Sequence, residues 1–194
     1  IWEDNNGRHI NAHGGGVLFH EGRYYWFGEH RPAKGFSTEV GVTCYSSPDL
    51  CNWTYEGVAL PVSSEEGNDI EKGCIMERPK VIYNAKTGKF VMWFHLELKG
   101  EGYAAARAAV AVSDTPAGPY RFVRSCRVNP GVYPQNMTKA ERKAKLDTKD
   151  YKTWWTPEWR RAVEQGLFAK RDLKSGQMSR DMTLFVDTDG KAYH

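Results

Sequence analysis

Three short stretches carry the residues whose types and spacing can do chemistry. Glu77-Arg78-Pro79 sets a carboxylate beside a guanidinium and then adds a residue with no backbone N–H. Arg180-Asp181 repeats the charged pair in reverse order. Glu29 ends the run Tyr24-Tyr25-Trp26-Phe27-Gly28, and His13 stands at the entrance of the run before it. Carboxylates gathered near guanidiniums have acidities set by their neighbours, as proton transfer at a glycosidic bond requires. The same pairs also read as structural ion pairs joining elements. The sequence has no Gly-x-Ser-x-Gly elbow, phosphate loop or dinucleotide fingerprint.

For these residues to meet, the elements between them must return them to one end. The pattern predicts this. Val17-Leu18-Phe19, a tight turn at His20-Glu21-Gly22-Arg23, and Tyr24 to Glu29 read as a hairpin. Val40 to Ser47 and Trp53 to Pro61 add two strands. Residues 77–125 repeat the plan: strands at 78–83, 89–97, 106–113 and 120–124, with turns at Asn84 to Gly88 and Asp114 to Pro119. A third unit starts at 179–194 with a strand, a turn at Asp187-Thr188-Asp189-Gly190, and the last residues. Repeated four-stranded antiparallel units point to an all-β fold, a β-propeller. The units are about 13–61, about 77–125 and, for the start of a third blade, 179–194. Such a ring needs at least about four blades, so the expected reading is the N-terminal part of a single propeller domain, truncated after some two and a half blades.

In a propeller the first strand of each blade faces the central channel. His13 with Glu29, Glu77 with Arg78, and Arg180 with Asp181 are therefore expected at one channel mouth. Between the second and third units, about 126–177 forms a helical insertion. Thr156 is its N-cap candidate, Pro157 the first helical residue and Gly166 the stop. A second helix is expected from Thr138 to Leu146. Trp154, Trp155 and Trp159 are expected to pack this insertion or to line a sugar site.

Composition narrows the partners. The 194 residues are 40% hydrophobic and 26% charged, ordinary for a globular protein, with an aromatic share of 13% that includes seven Trp and ten Tyr. Such aromatics suit strands and also suit sugar faces. The net charge of +3 is concentrated in Lys139 to Lys174, read as a solvated insertion, so no nucleic-acid partner is expected. No apolar run spans a membrane. Cys44, Cys51, Cys74 and Cys126 lack zinc spacing, and buried free thiols are the expectation.

His13-Gly14-Gly15-Gly16, Tyr24 to Glu29, Cys44-Tyr45-Ser46-Ser47-Pro48-Asp49-Leu50, Glu77-Arg78-Pro79-Lys80-Val81-Ile82-Tyr83-Asn84 and Ser179-Arg180-Asp181-Met182 occur in this order. Together they resemble glycoside hydrolase family 43, in particular its exo-β-1,3-galactanase-like branch. The resemblance implies a five-bladed β-propeller and exo-acting, inverting hydrolysis of galactose-containing polysaccharide. It implies an oligo- or polysaccharide partner, a secreted or periplasmic location, and no cofactor or catalytic metal, with structural calcium as the one metal found in the wider family. Glu77 would be the catalytic carboxylate that orients the general acid and modulates its pKa. Arg78 would hold Glu77 or a sugar hydroxyl. Glu29 and Asp181 would grip the terminal sugar, with Tyr103 and His13 as further sugar contacts. The general acid and the Gln that replaces the usual base would fall beyond His194, so residues 1–194 alone should not catalyse. A non-catalytic carbohydrate-binding propeller is the alternative, as is an arabinofuranosidase or xylosidase of the same family.

Overall fold

A computed structural model of the chain describes residues 1–143, 156–164, 173 and 175–194. It divides into two compact units, residues 1–126 with 179–194, and residues 127–178.

The first unit is built from two four-stranded antiparallel sheets, each with its strands in chain order. The first sheet holds β1 (His13–His20), β2 (Arg23–Glu29), β3 (Gly41–Ser47) and β4 (Thr54–Pro61). The second holds β5 (Ile75–Asn84), β6 (Lys89–Glu97), β7 (Arg107–Ser113) and β8 (Arg121–Cys126). A short hairpin follows, β9 (Phe185–Val186) with β10 (Ala192–Tyr193). β1 packs beside β5, so the leading strands of the two sheets are neighbours. This is the arrangement of two adjacent propeller blades.

One continuous core lies between the sheets. Phe27, Val42, Cys44 and Leu60 of the first meet Met76, Val81, Phe90, Met92, Phe94 and Leu96 of the second. Alternation along each strand sends these residues inward. A smaller cluster of Ile10, Ala12, Tyr45 and Trp53 covers the other face of the first sheet. There Trp26 stacks edge-on to both Trp2 and Trp53, with ring centres 5.3 Å apart in each case.

The structure departs from the sequence expectations at three places. Glu77-Arg78-Pro79 is not the entrance of a strand; β5 already runs from Ile75. Ile75, Met76 and Glu77 pair with Glu97, Leu96 and His95, and the register then shifts before Lys80 meets Trp93. The triplet is thus a β-bulge, which tolerates a proline that cannot donate to the ladder. Arg78 sits at φ 55° in it. β1 carries a similar shift between His13 and Gly16. Second, residues 179–184 are not a strand, and pairing begins only at Phe185. Third, only Cys44 and Cys74 are buried; Cys51 and Cys126 are exposed, and all four are free.

The second unit contains α1 (Lys139–Lys143) and α2 (Pro157–Glu164). Thr156 caps α2 as expected, its Oγ1 accepting the Trp159 N–H at 3.2 Å. The expected helix ends at Leu146 and Gly166, and Trp154 and Trp155, lie outside the described residues.

Candidate active site

Three of the six candidate residues come together at the ends of β2 and β5. Glu29 is the last residue of β2 and pairs with His13 across the ladder. Arg31 follows two residues later, and its Nη2 donates to Glu29 Oε1 at 2.6 Å. The same nitrogen lies 3.5 Å from Glu77 Oε1. Arg31 therefore bridges the first blade's carboxylate and the second blade's. Its backbone is held by Asn11, which donates to the Arg31 carbonyl and accepts from the Arg31 N–H, both at 2.9 Å. Tyr103 is the third candidate: its hydroxyl donates to Glu77 Oε1 at 2.7 Å.

Arg78 does not hold Glu77. The bulge turns it toward Asp181, which its Nε reaches at 3.0 Å, and both side chains are exposed, Asp181 more than Arg78. Arg78, Asp181, Gly14, Gly15, Trp26 and Lys80 line an open cavity of about 600 Å³. Glu29 and Glu77 do not line it. Arg78 links the two places, since its charge acts on Glu29. His13 is exposed, 6.2 Å ring to ring from His9.

Besides Tyr103, the groups beside Glu77 are Arg31 and His95. His95 pairs with Glu77 in register, and its Nδ1 lies 3.2 Å from Glu77 Oε2, off the line of a hydrogen bond. Glu97, two residues along β6, accepts from His95 Nε2 at 2.8 Å and from the Ala106 N–H at 2.8 Å. Arg31, His95 and Glu97 were missed from the sequence. The available signal was His95-Leu96-Glu97, where two ionisable residues share one face at the end of an otherwise apolar strand.

The environment pushes the two bridged carboxylates apart. Burial raises Glu29 above the usual carboxylate range; Arg31 opposes that and the Glu77 charge adds to it. Glu77 is lowered, by the contact with His95 first and against burial, with the Tyr103 hydroxyl and Arg31 helping. Tyr103 is pushed up to about 12 by partial burial and by its bond to Glu77. His13, though exposed, is lowered by the partial desolvation of its ring and by the charges of Arg31, His9 and His30. Among the described residues, no group of three or more His, Cys, Asp or Glu is arranged to hold a metal ion.

The arrangement can do one thing well. Glu77 is a carboxylate with a lowered pKa, a hydrogen bond from Tyr103, and Arg31 and His95 close by, so it can orient or polarise but is a poor proton donor. Glu29 remains able to take a ligand hydroxyl alongside Arg31.

No protein-family model and no curated protein matches the chain. Solved structures do. A GH43 β-1,3-galactosidase, BT3683, in complex with galactodeoxynojirimycin, superposes with a TM-score of 0.90 at 75% identity, covering 100% of this chain and 56% of that one. An exo-β-1,3-galactanase from Clostridium thermocellum gives 0.70 at 40% identity, over 99% of this chain and 33% of that one. One from Phanerochaete chrysosporium, with galactose, gives 0.58 at 40%, over 64% and 28%. The chain thus spans 56% of the length of the first of these and about a third or less of the other two. The two adjacent four-stranded sheets are blades of a β-propeller. The chain belongs to glycoside hydrolase family 43.

Proposed function

We propose that this protein is an exo-acting β-1,3-galactosidase that releases galactose from galactan-like chains with inversion, outside the cytoplasm. The observation that carries the reading is the Arg31 bridge between Glu29 and Glu77, in a chain 75% identical to a GH43 β-1,3-galactosidase. Glu77 acts as the orienting carboxylate. Its lowered pKa, its hydrogen bond from Tyr103 and the nearby Arg31 and His95 suit an anion that tunes a neighbouring acid. Glu29 with Arg31 and Asp181 with Arg78 grip sugar hydroxyls, and Tyr103 closes one side. Inversion needs an acid and an activated water on opposite faces of the sugar, with the carboxyl groups about 6.5–9.5 Å apart.

The test is galactose release from β-1,3-linked galacto-oligosaccharides by the full-length protein, with Glu77→Gln beside it. The expected loss in kcat is about 100-fold or more, the scale of removing one preorganised electrostatic group. Wild-type turnover in the variant overturns the role of Glu77. Galactose binding without release by the unaltered protein overturns the enzyme reading in favour of a carbohydrate-binding propeller. Release from arabinofuranosides or xylosides alone overturns the choice of sugar.

A further inference from the structure

His95 is a buried ionisable group that hydrolysis does not require to touch substrate. It is 1% exposed, and Glu97 beside it is 0% exposed. Each ring nitrogen faces a carboxylate: Nδ1 is 3.2 Å from Glu77 Oε2 and Nε2 is 2.8 Å from Glu97 Oε1. A neutral imidazole has one N–H and one lone pair. Between two anions, the neutral ring would turn its lone pair onto one of them. Only the imidazolium sets a positive charge between them, hydrogen-bonded to Glu97 and within 3.2 Å of Glu77.

The two carboxylates are themselves fixed. Glu97 Oε2 accepts the Ala106 N–H at 2.8 Å, and Arg180 Nε stands 3.8 Å from Glu97 Oε1. Arg180 also donates to the Tyr103 carbonyl at 2.5 Å and lies over the Tyr103 ring at 5.7 Å. Tyr103 in turn donates its hydroxyl to Glu77. The contacts close a ring through Glu77, His95, Glu97, Arg180 and Tyr103.

We propose that His95 is a positioning residue, a buried imidazolium clamped by Glu97 that keeps Glu77 ionised and aimed. The role given to Glu77 rests on the hydrolase reading above; the charge state of His95 does not. The groups facing the ring are Glu77 from β5, Glu97 from its own strand, Tyr103 from the loop after β6, and Arg180 behind Glu97. Its β7 register partner, Ala108, carries no charge. Arg31 reaches only the far oxygen of Glu77. Burial works against the charged ring, yet the contacts with Glu77 and Glu97 outweigh it and raise its pKa. When His95 loses its proton, Glu77 loses its main partner, and two buried carboxylates face one neutral ring. Turnover should therefore fall on the alkaline side with the titration of His95.

The experiment follows the His95 ring by nitrogen-15 NMR in the full-length protein, and kcat/KM for β-1,3-galactobiose, across about pH 5 to 9. The imidazolium signal should persist above the ordinary histidine pKa of about 6.5. Glu97→Gln should move both that titration and the alkaline limb of kcat/KM to lower pH by about 1 unit or more, the usual effect of one close opposite charge. His95→Gln should lower kcat with little change in KM. A neutral His95 ring at about pH 6 in the unaltered protein overturns the proposal, even where Glu97→Gln fails to fold. So does an alkaline limb that stays put while the His95 titration moves. If the protein turns over no galactoside, the hydrolase reading fails while the NMR titration still decides the clamp.

Discussion

Arg78 lies against the backbone of Gly14. A Cβ built on Gly14 would stand 3.0 Å from Arg78 Nη1 and 3.3 Å from its Cδ. The two residues belong to the bulges of β1 and β5, so the irregular points of the neighbouring leading strands meet. Gly14 has φ 58°, a conformation that costs a residue with a Cβ about 1–2 kcal/mol. Gly14→Ala should therefore lose about that much stability and push Arg78 away from Asp181. Gly15 is tighter still, because its Cβ would fall 1.5 Å from the Phe27 carbonyl oxygen. Gly15→Ala should not reach the folded state at all. Urea unfolding of Gly14→Ala and circular dichroism of Gly15→Ala check the order; a Gly14→Ala protein as stable as the parent, or a folded Gly15→Ala protein, contradicts it.

Much of the fold was legible because turn chemistry is local. Glu21-Gly22 and Thr87-Gly88 mark hairpins whatever lies around them, and the strands on either side fall where alternation puts them. The site was legible only in part. Glu29, Glu77 and Tyr103 do meet, but Arg78 faces Asp181, because a bulge turns the chain in a way that residue types do not announce. Arg31 went unseen because it follows its strand and acts through a bridge. His95 and Glu97 went unseen because an apolar strand gives no reason to look for a charge, although their i, i+2 spacing was there to be read. Residues 179–184 read as a strand from their place in the repeat, yet they carry Arg180 and Asp181 into side-chain contacts instead of a ladder.

The opposite shifts of Glu29 and Glu77 give opposite pH signatures. Glu29 has a raised folded pKa, so its contribution is fully present below the unfolded value near 4.5 and is lost as pH rises through the folded value. Glu77 has a lowered folded pKa, so its contribution is present above about 4.5 and is lost as pH falls through the folded value. Near neutral pH, Glu29→Gln should be as stable as the parent or more so, and its advantage should shrink toward pH 4. Glu77→Gln should be less stable near neutral pH, and its deficit should shrink in acid. Denaturant titrations at a series of pH values test this, and parallel curves for the two variants would refute it.

The thiols should divide into two pairs. Burial pushes Cys74 up to about 12 and raises Cys44 further, so neither supplies thiolate, the reactive form, near neutrality. Cys51 and Cys126 are exposed. A disulfide reagent should label those two quickly in the native protein and all four only after unfolding. Rapid native labelling of Cys44 or Cys74 would show that the core between the sheets is open.

Asp181 separates the two readings that the sequence left open, a sugar contact or a structural ion pair. Its partner Arg78 is 3.0 Å away, but both side chains are exposed, and such a pair contributes about 0–1 kcal/mol. Asp181→Asn keeps the shape and removes the charge. Stability should therefore change little, by about 0.5 kcal/mol at most. If Asp181 faces substrate across the cavity that it lines with Arg78 and Trp26, losing a charged hydrogen bond to a sugar hydroxyl should cost about 1.5 kcal/mol or more, roughly tenfold in KM. The loss should fall on KM, with kcat nearly kept, because gripping a hydroxyl far from the reacting bond holds ground and transition states alike. Glu77→Gln should show the reverse pattern, a loss in kcat. Unchanged kinetics in Asp181→Asn would leave Arg78–Asp181 as a surface ion pair and confine the sugar pocket to Glu29, Arg31, Glu77 and Tyr103.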